Sequence, residues 1–220
     1  MKKYLLFSAL ILSLFSLHAQ TNSLGNNDPD AKKILDAVSA KFKTYKGVQS
    51  NFTYTVEDAK GKTQGVQKGT LLMKGNKYRI TMSDRQIFSD GNSVWNYDKP
   101  TNEVTISKID PSATTITPQK LFTNFYDKDF LYKLNGNKKV NKKTVQEIEL
   151  TPVDKTKSFH KVYLYVDKAA RTIISTKVLD KSGNKFTYVV TSLNSNAPVT
   201  DVQFVFDKKK FPGVEEVDLR

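Results

Sequence analysis

Apolar and polar residues alternate along most of this chain, and the alternation is sharpest between Gly69 and Ile106. Tyr78, Ile80 and Met82 share one face of a strand, and Trp95 and Tyr97 share one face of a later strand, because successive side chains of an extended chain point to opposite sides. Ser89-Asp90-Gly91 separates two apolar runs with turn-forming residues. The pattern predicts a sheet with one strongly apolar face, which must be covered by protein or by a ligand. Upstream the period is helical. Ala31, Ile34, Leu35, Val38, Phe42 and Tyr45 recur along one face behind Asp28-Pro29, a capping residue followed by proline, and Gly47 ends the run. This predicts one amphipathic helix of about four turns.

The period changes to two after the helix. Phe52, Tyr54 and Val56 alternate, and Asp58-Ala59-Lys60-Gly61 turns the chain. Strands are expected at 69–73, 77–82, 86–88, 94–97 and 104–106. Gly-Asn-Lys occurs at 75–77, 136–138 and 183–185 with irregular spacing, so each copy is expected to be a hairpin turn and not a repeat unit. The rhythm breaks between Asp110 and Lys128, where a polar loop leads through Pro118 into a short helix bearing Leu121, Phe122 and Phe125. Strands resume at 130–132, 145–150, 162–166, 172–178 and 186–191, with a last one from Val202 to Phe206. The expectation is a mainly β (α+β) protein of about eleven strands in one domain.

Met1-Lys2-Lys3, the apolar run Tyr4 to Phe15 and the sequence Leu17-His18-Ala19 read as a signal peptide over 1–19, cut after Ala19, with a single domain over 20–220. The apolar run is shorter than the roughly 20 residues a membrane span needs. Removing 1–19 leaves 201 residues and lowers the formal charge from +13 to +11. The chain has no cysteine, which excludes a thiol nucleophile, a cysteine metal site and an N-terminal lipid anchor. Of two histidines, His18 leaves with the signal. One remaining histidine excludes a His-rich zinc site. His160 is expected to point with Val162 and Leu164 as an ordinary strand residue.

Candidate chemistry is sparse. Gly61-Lys62-Thr63 lacks the glycine a phosphate loop needs, since Val56 stands there. Asp58, Asp90 and Asp98 fall at turns, where aspartate bonds local backbone. No catalytic constellation, metal site or cofactor is expected, so the reading is of a non-enzyme. A sequence pI of about 9.6 suits nucleic acid, but export and the scatter of lysines through turns argue for no nucleic-acid partner. The residues alone leave an ordinary apolar core and a ligand cavity equally open.

Gly69-x-Leu71, Lys77-Tyr78-Arg79 and Ser89-Asp90-Gly91-x-x-x-Trp95-x-Tyr97 resemble, in order and spacing, the periplasmic lipoprotein carriers of the outer-membrane sorting pathway, the LolA-like family. The resemblance runs from the first helix to Phe211-Pro212-Gly213-Val214. It implies an unclosed, strongly curved antiparallel half-barrel with a helical lid. It also implies a periplasmic carrier that binds lipoprotein acyl chains in a hydrophobic cavity and shuttles them from the inner to the outer membrane. The implied partners are acylated outer-membrane lipoproteins, an inner-membrane ABC-type lipoprotein-releasing transporter, and an outer-membrane receptor or the outer membrane itself, the carrier being a monomer. By position, the cavity would be lined by Phe42, Phe52, Tyr54, Leu71, Met73, Tyr78, Ile80, Trp95 and Tyr97, and the lid would hold Leu121, Phe122 and Phe125. Many carriers have an Arg-Pro pair before the aromatic strand that ties the lid. Here Lys74-Gly75-Asn76 stands in its place, so that latch is absent or built differently. The alternative with the same half-barrel is a lipoprotein- or lipid-sensing regulatory module.

Overall fold

The computed structural model describes residues 27–109, 126–140 and 143–220. The expected signal peptide and the lid residues Leu121, Phe122 and Phe125 lie outside them. Helix α1 spans Pro29–Lys43. Asp28 caps it as the sequence predicts, its carboxylate accepting from the backbone N–H of Asp30 at 2.8 Å and Ala31 at 3.3 Å. The other carboxylate oxygen of Asp28 accepts from Leu134 N–H at 3.0 Å, and Asp28 N–H donates to the Tyr132 carbonyl. The cap therefore also ties the helix to the sheet. A one-turn helix, α2, covers Tyr126–Asp129.

Twelve strands form one sheet: β1 (Val48–Glu57), β2 (Thr63–Lys74), β3 (Lys77–Thr81), β4 (Arg85–Ser89), β5 (Ser93–Asp98), β6 (Glu103–Lys108), β7 (Phe130–Val140), β8 (Lys143–Pro152), β9 (Phe159–Asp167), β10 (Thr172–Asp180), β11 (Lys185–Asn194) and β12 (Glu215–Asp218). Their order is β12-β6-β5-β4-β3-β2-β1-β11-β10-β9-β8-β7, so the ends are not paired with each other and the barrel stays open. Two antiparallel meanders meet where β1 pairs with β11.

Three expectations change. The Val202–Phe206 run is not a strand; Asp201–Phe204 winds into a 3-10 turn whose N-terminus is held by Thr200 and Gln203. The twelfth strand is instead Glu215–Asp218, which pairs parallel to β6 and carries almost no apolar signal. Gly136 is not in a hairpin turn. It sits at a bulge in β7 with φ 106°, a conformation glycine adopts without strain. His160 is exposed instead of following Val162 and Leu164, because the β9–β10 register slips between Leu179 and Asp180.

The sheet buries three clusters. The largest lies between α1 and β7–β10, built on Leu35, Phe130, Ile148, Leu150, Val162 and Leu164. A second packs Phe88, Tyr97 and Val104 under Phe206 and Val214 from the C-terminal segment, with Phe211 against it. A third gathers Val48, Met73 and Tyr78.

Candidate functional site

Residues paired across antiparallel strands share a face, so the register defines the two sides of the central strands. Phe52 pairs with Val190, Tyr54 with Tyr188 and Val56 with Phe186 on β11. Ser50 pairs with Leu71 on β2, and Leu71 with Ile80 on β3. Ile80 pairs with Ile87 on β4. This face is concave and apolar. The reverse face of the same strands is mostly polar, with Thr53, Thr55, Lys68 and Lys177.

The apolar face carries a cavity of about 620 Å³, in the size range of ligand pockets. The second half of α1 contributes Val38 and Phe42, and Tyr45 follows it. Tyr54 and Tyr188 stack at 4.7 Å, with Phe186 parallel to Tyr54 at 6.4 Å. Tyr188 keeps 39% of its surface and Leu193 41%, large values for side chains on an inner face. The described residues therefore leave part of this surface uncovered. Burial raises the hydroxyl pKa of both Tyr54 and Tyr188, so both remain neutral hydrogen-bonding groups.

Polar groups collect at the two ends. At the end near the β1–β2 turn, Gln67 donates to Asp84 at 3.0 Å, and Arg85 lies beside Asp84, its Nε 3.8 Å from Oδ1. Asp84 Oδ1 is buried and has no hydrogen-bond partner among the described residues. At the other end stands Arg171, in the β9–β10 turn with φ 55°.

The structure separates the nine residues expected to line the cavity. Phe42, Phe52, Tyr54, Leu71 and Ile80 line it. Met73 and Tyr78 lie on the same face but are buried, at 1% and 4% exposure, behind Phe42 and Tyr45. Trp95 and Tyr97 are on the opposite face. Trp95 pairs with Phe88 and Tyr97 with Gln86, and this side is closed by the C-terminal segment, with Tyr97 4.5 Å from Phe211. The physical reason is register: Ile87 takes the concave face of β4, which turns Phe88 and its partners outward. Sequence reasoning missed Phe186, Tyr188, Val190 and Ile173, which β10 and β11 bring to the groove. Their alternation was visible, but not the face it served.

The sequence motifs find structural roles. Gly69 lies beneath the Phe52 ring, in space that any Cβ would fill. In Ser89-Asp90-Gly91, the Asp90 carboxylate accepts from Asn92 and Ser93 N–H at 2.8 Å, and Gly91 has φ 95° with the Asn76 side chain against it. Lys74, where the latch pair was missing, binds Asp201 at 3.0 Å, as Lys77 does at 2.9 Å. This hairpin is thus tied to the C-terminal segment.

A family model for "Outer membrane lipoprotein carrier protein LolA" matches residues 43–207, three quarters of the chain. The chain belongs to the LolA family. The match starts at the end of α1 and runs just past Phe206, so it takes in every strand that lines the groove. A curated outer-membrane lipoprotein carrier protein of Cupriavidus necator is 28% identical, with 70% of this chain and 72% of that one covered. Another, of Histophilus somni, is 26% identical over 100% of this chain and 99% of that one. An uncharacterized conserved protein of Thermus thermophilus has a similar fold, with a TM-score of 0.58 and 14% identity, covering 86% of this chain and 99% of that one.

Proposed function

We propose that this LolA-family protein is a periplasmic, non-enzymatic carrier that holds the acyl chains of lipoproteins in the concave groove and moves them from the inner to the outer membrane. The observation that carries this reading is the groove itself: a concave apolar surface between α1 and the central strands that the described residues leave partly uncovered, whereas the three apolar clusters beside it are buried. One long acyl chain costs on the order of 10 kcal/mol to expose to water, at roughly 0.8 kcal/mol per methylene. A lipoprotein cannot cross an aqueous gap without that cost being offset. The site must also release its cargo, so its free energy has to lie close to that of a membrane. Phe42, Phe52, Tyr54, Leu71, Ile80 and Tyr188 supply such a site with large, adaptable contact area.

In this reading residues 1–19 direct export and are cleaved after Ala19, leaving one domain over 20–220. The monomeric carrier receives acylated outer-membrane lipoproteins from an ABC-type transporter in the inner membrane. It delivers them to an outer-membrane receptor or to the outer membrane itself. Leu121, Phe122 and Phe125 are assigned to the lid on the resemblance alone.

Adding purified protein to spheroplasts that hold a newly acylated lipoprotein tests this. The expected result is a water-soluble complex that a cargo lacking its lipidated cysteine does not form. Leu71→Asp, which places a charge in the groove, should abolish the complex with an unchanged circular-dichroism spectrum. Complexes formed equally well by unlipidated cargo would overturn the proposal.

A further inference from the structure

The chain contains 31 lysines and only four arginines. Among the described residues that line the groove there is no lysine, yet two of the four arginines are there, Arg85 at one end and Arg171 at the other. A scattered solvating surface would put lysine at such places. Arginine differs in being a planar, weakly hydrated fork that binds carboxylate and phosphate in a bidentate manner.

The Arg85 end is the more fully built. Arg85 alternates with Ile87 on β4 and so points to the concave face. Asp84, fixed by Gln67, lies on the Nε side of the guanidinium at 3.8 Å, beyond hydrogen-bond reach. No hydrogen-bond partner for the outer nitrogens of Arg85 is found among the described residues. Tyr54 and Tyr188, whose rings stack at 4.7 Å, line the same groove as Arg85. The arrangement is an apolar trough ending in one cation, two neutral hydroxyls and the Asp84 carboxylate, which occupies only the Nε side of the guanidinium.

Resting on the reading that the groove holds acyl chains, we infer that it also takes single-chain lipids with an anionic head, the carboxylate or phosphate lying on Arg85 beside Tyr54 and Tyr188. A lipoprotein's acyl esters would meet the same groups as neutral hydrogen-bond acceptors. The groove would then accept membrane-derived fatty acids or monoacyl phosphates besides lipoproteins.

Displacement of a fluorescent apolar probe from the purified protein tests the inference with four ligands of equal chain length: palmitate, hexadecyl phosphate, methyl palmitate and hexadecanol. The expected result is that one or both anions bind at least tenfold tighter than hexadecanol, about 1.4 kcal/mol. Arg85→Gln should erase that ratio by weakening the anions far more than hexadecanol, while Arg171→Gln should leave the ratio intact. Palmitate against hexadecyl phosphate tells whether a carboxylate or a phosphate is the natural head. Equal binding of all four ligands, or an anion preference that survives Arg85→Gln, overturns the inference and leaves the acyl groove standing. If no ligand displaces the probe, the acyl-groove reading falls with it.

Discussion

The concave side of this sheet is treated in two ways. Over β7–β10 it is sealed: α1 lies across it, and Ile148, Leu150, Val162 and Leu164 have at most 1% exposure. Over β11, β1, β2 and β3 the same kind of surface, with the same alternation, stays partly open. Tyr188 retains 39% exposure there, whereas Phe130 in the sealed part retains 3%. The helix marks the boundary, since Ala31 and Leu35 enter the closed cluster, Val38 touches both, and Phe42 reaches the groove. Alternation thus makes an apolar face, and coverage decides whether that face serves as a core or as a site.

The largest effect that tests this comparison comes from truncating one aromatic in each part. Phe130→Ala should cost about 3–5 kcal/mol by leaving a cavity in the sealed cluster. Tyr188→Ala should cost only about 1–2 kcal/mol, mostly lost stacking on Tyr54. Urea unfolding of both variants checks the difference. Equal costs would mean that the groove is structurally a core.

A smaller change sharpens the boundary from the other side. Gly69→Ala pushes a methyl group into the space of the Phe52 ring. Overpacking of this kind should cost about 1–3 kcal/mol, and the displaced ring should narrow the groove. Probe affinity and thermal midpoint should therefore fall together.

The smallest effect concerns pH. The backbone N–H groups of Leu134 and Asp30 hold the Asp28 carboxyl below its ordinary value of 3.8. A carboxyl lowered in the folded state adds stability above the unfolded value and loses it as pH falls through the lowered one. The tie between α1 and β7 should thus be fully present above about pH 4 and weaken below it. Hydrogen exchange at Leu134 should report this, and Asp28→Asn should remove most of the acid dependence there. Exchange at Leu71, in the open part, should not follow the Asp28 titration.

Most of the fold was legible in the chain, for local reasons. Asp28-Pro29 and the helical stripe placed α1 correctly, since capping and period act within a few residues. Asp58-Ala59-Lys60-Gly61 and Ser89-Asp90-Gly91 turned where expected. β12 was not legible, because Glu215–Asp218 is a strand only through the β6 backbone beside it. Val202–Phe206 misled because its alternation is also satisfied by a 3-10 turn that buries Phe204 and Phe206 and exposes Val202.

The site divides along the same line. Local pattern was enough to give this chain an apolar sheet face, to crowd that face with aromatic residues, and to carry the motifs of the LolA family. It also placed Phe52 with Tyr54, Leu71 with Met73, and Tyr78 with Ile80 on one side of their own strands, since period-two spacing carries that much. Which face Trp95 and Tyr97 serve was set by long-range packing, because a strand's outward and inward sides are identical in sequence until something packs on one of them. The C-terminal aromatics Phe206 and Phe211 pack on theirs, more than a hundred residues away along the chain. The pairing of β1 with β11 likewise brought Phe186, Tyr188 and Val190 to the groove. Pairings across that distance depend on the closure of the whole sheet, and no local window of sequence contains them.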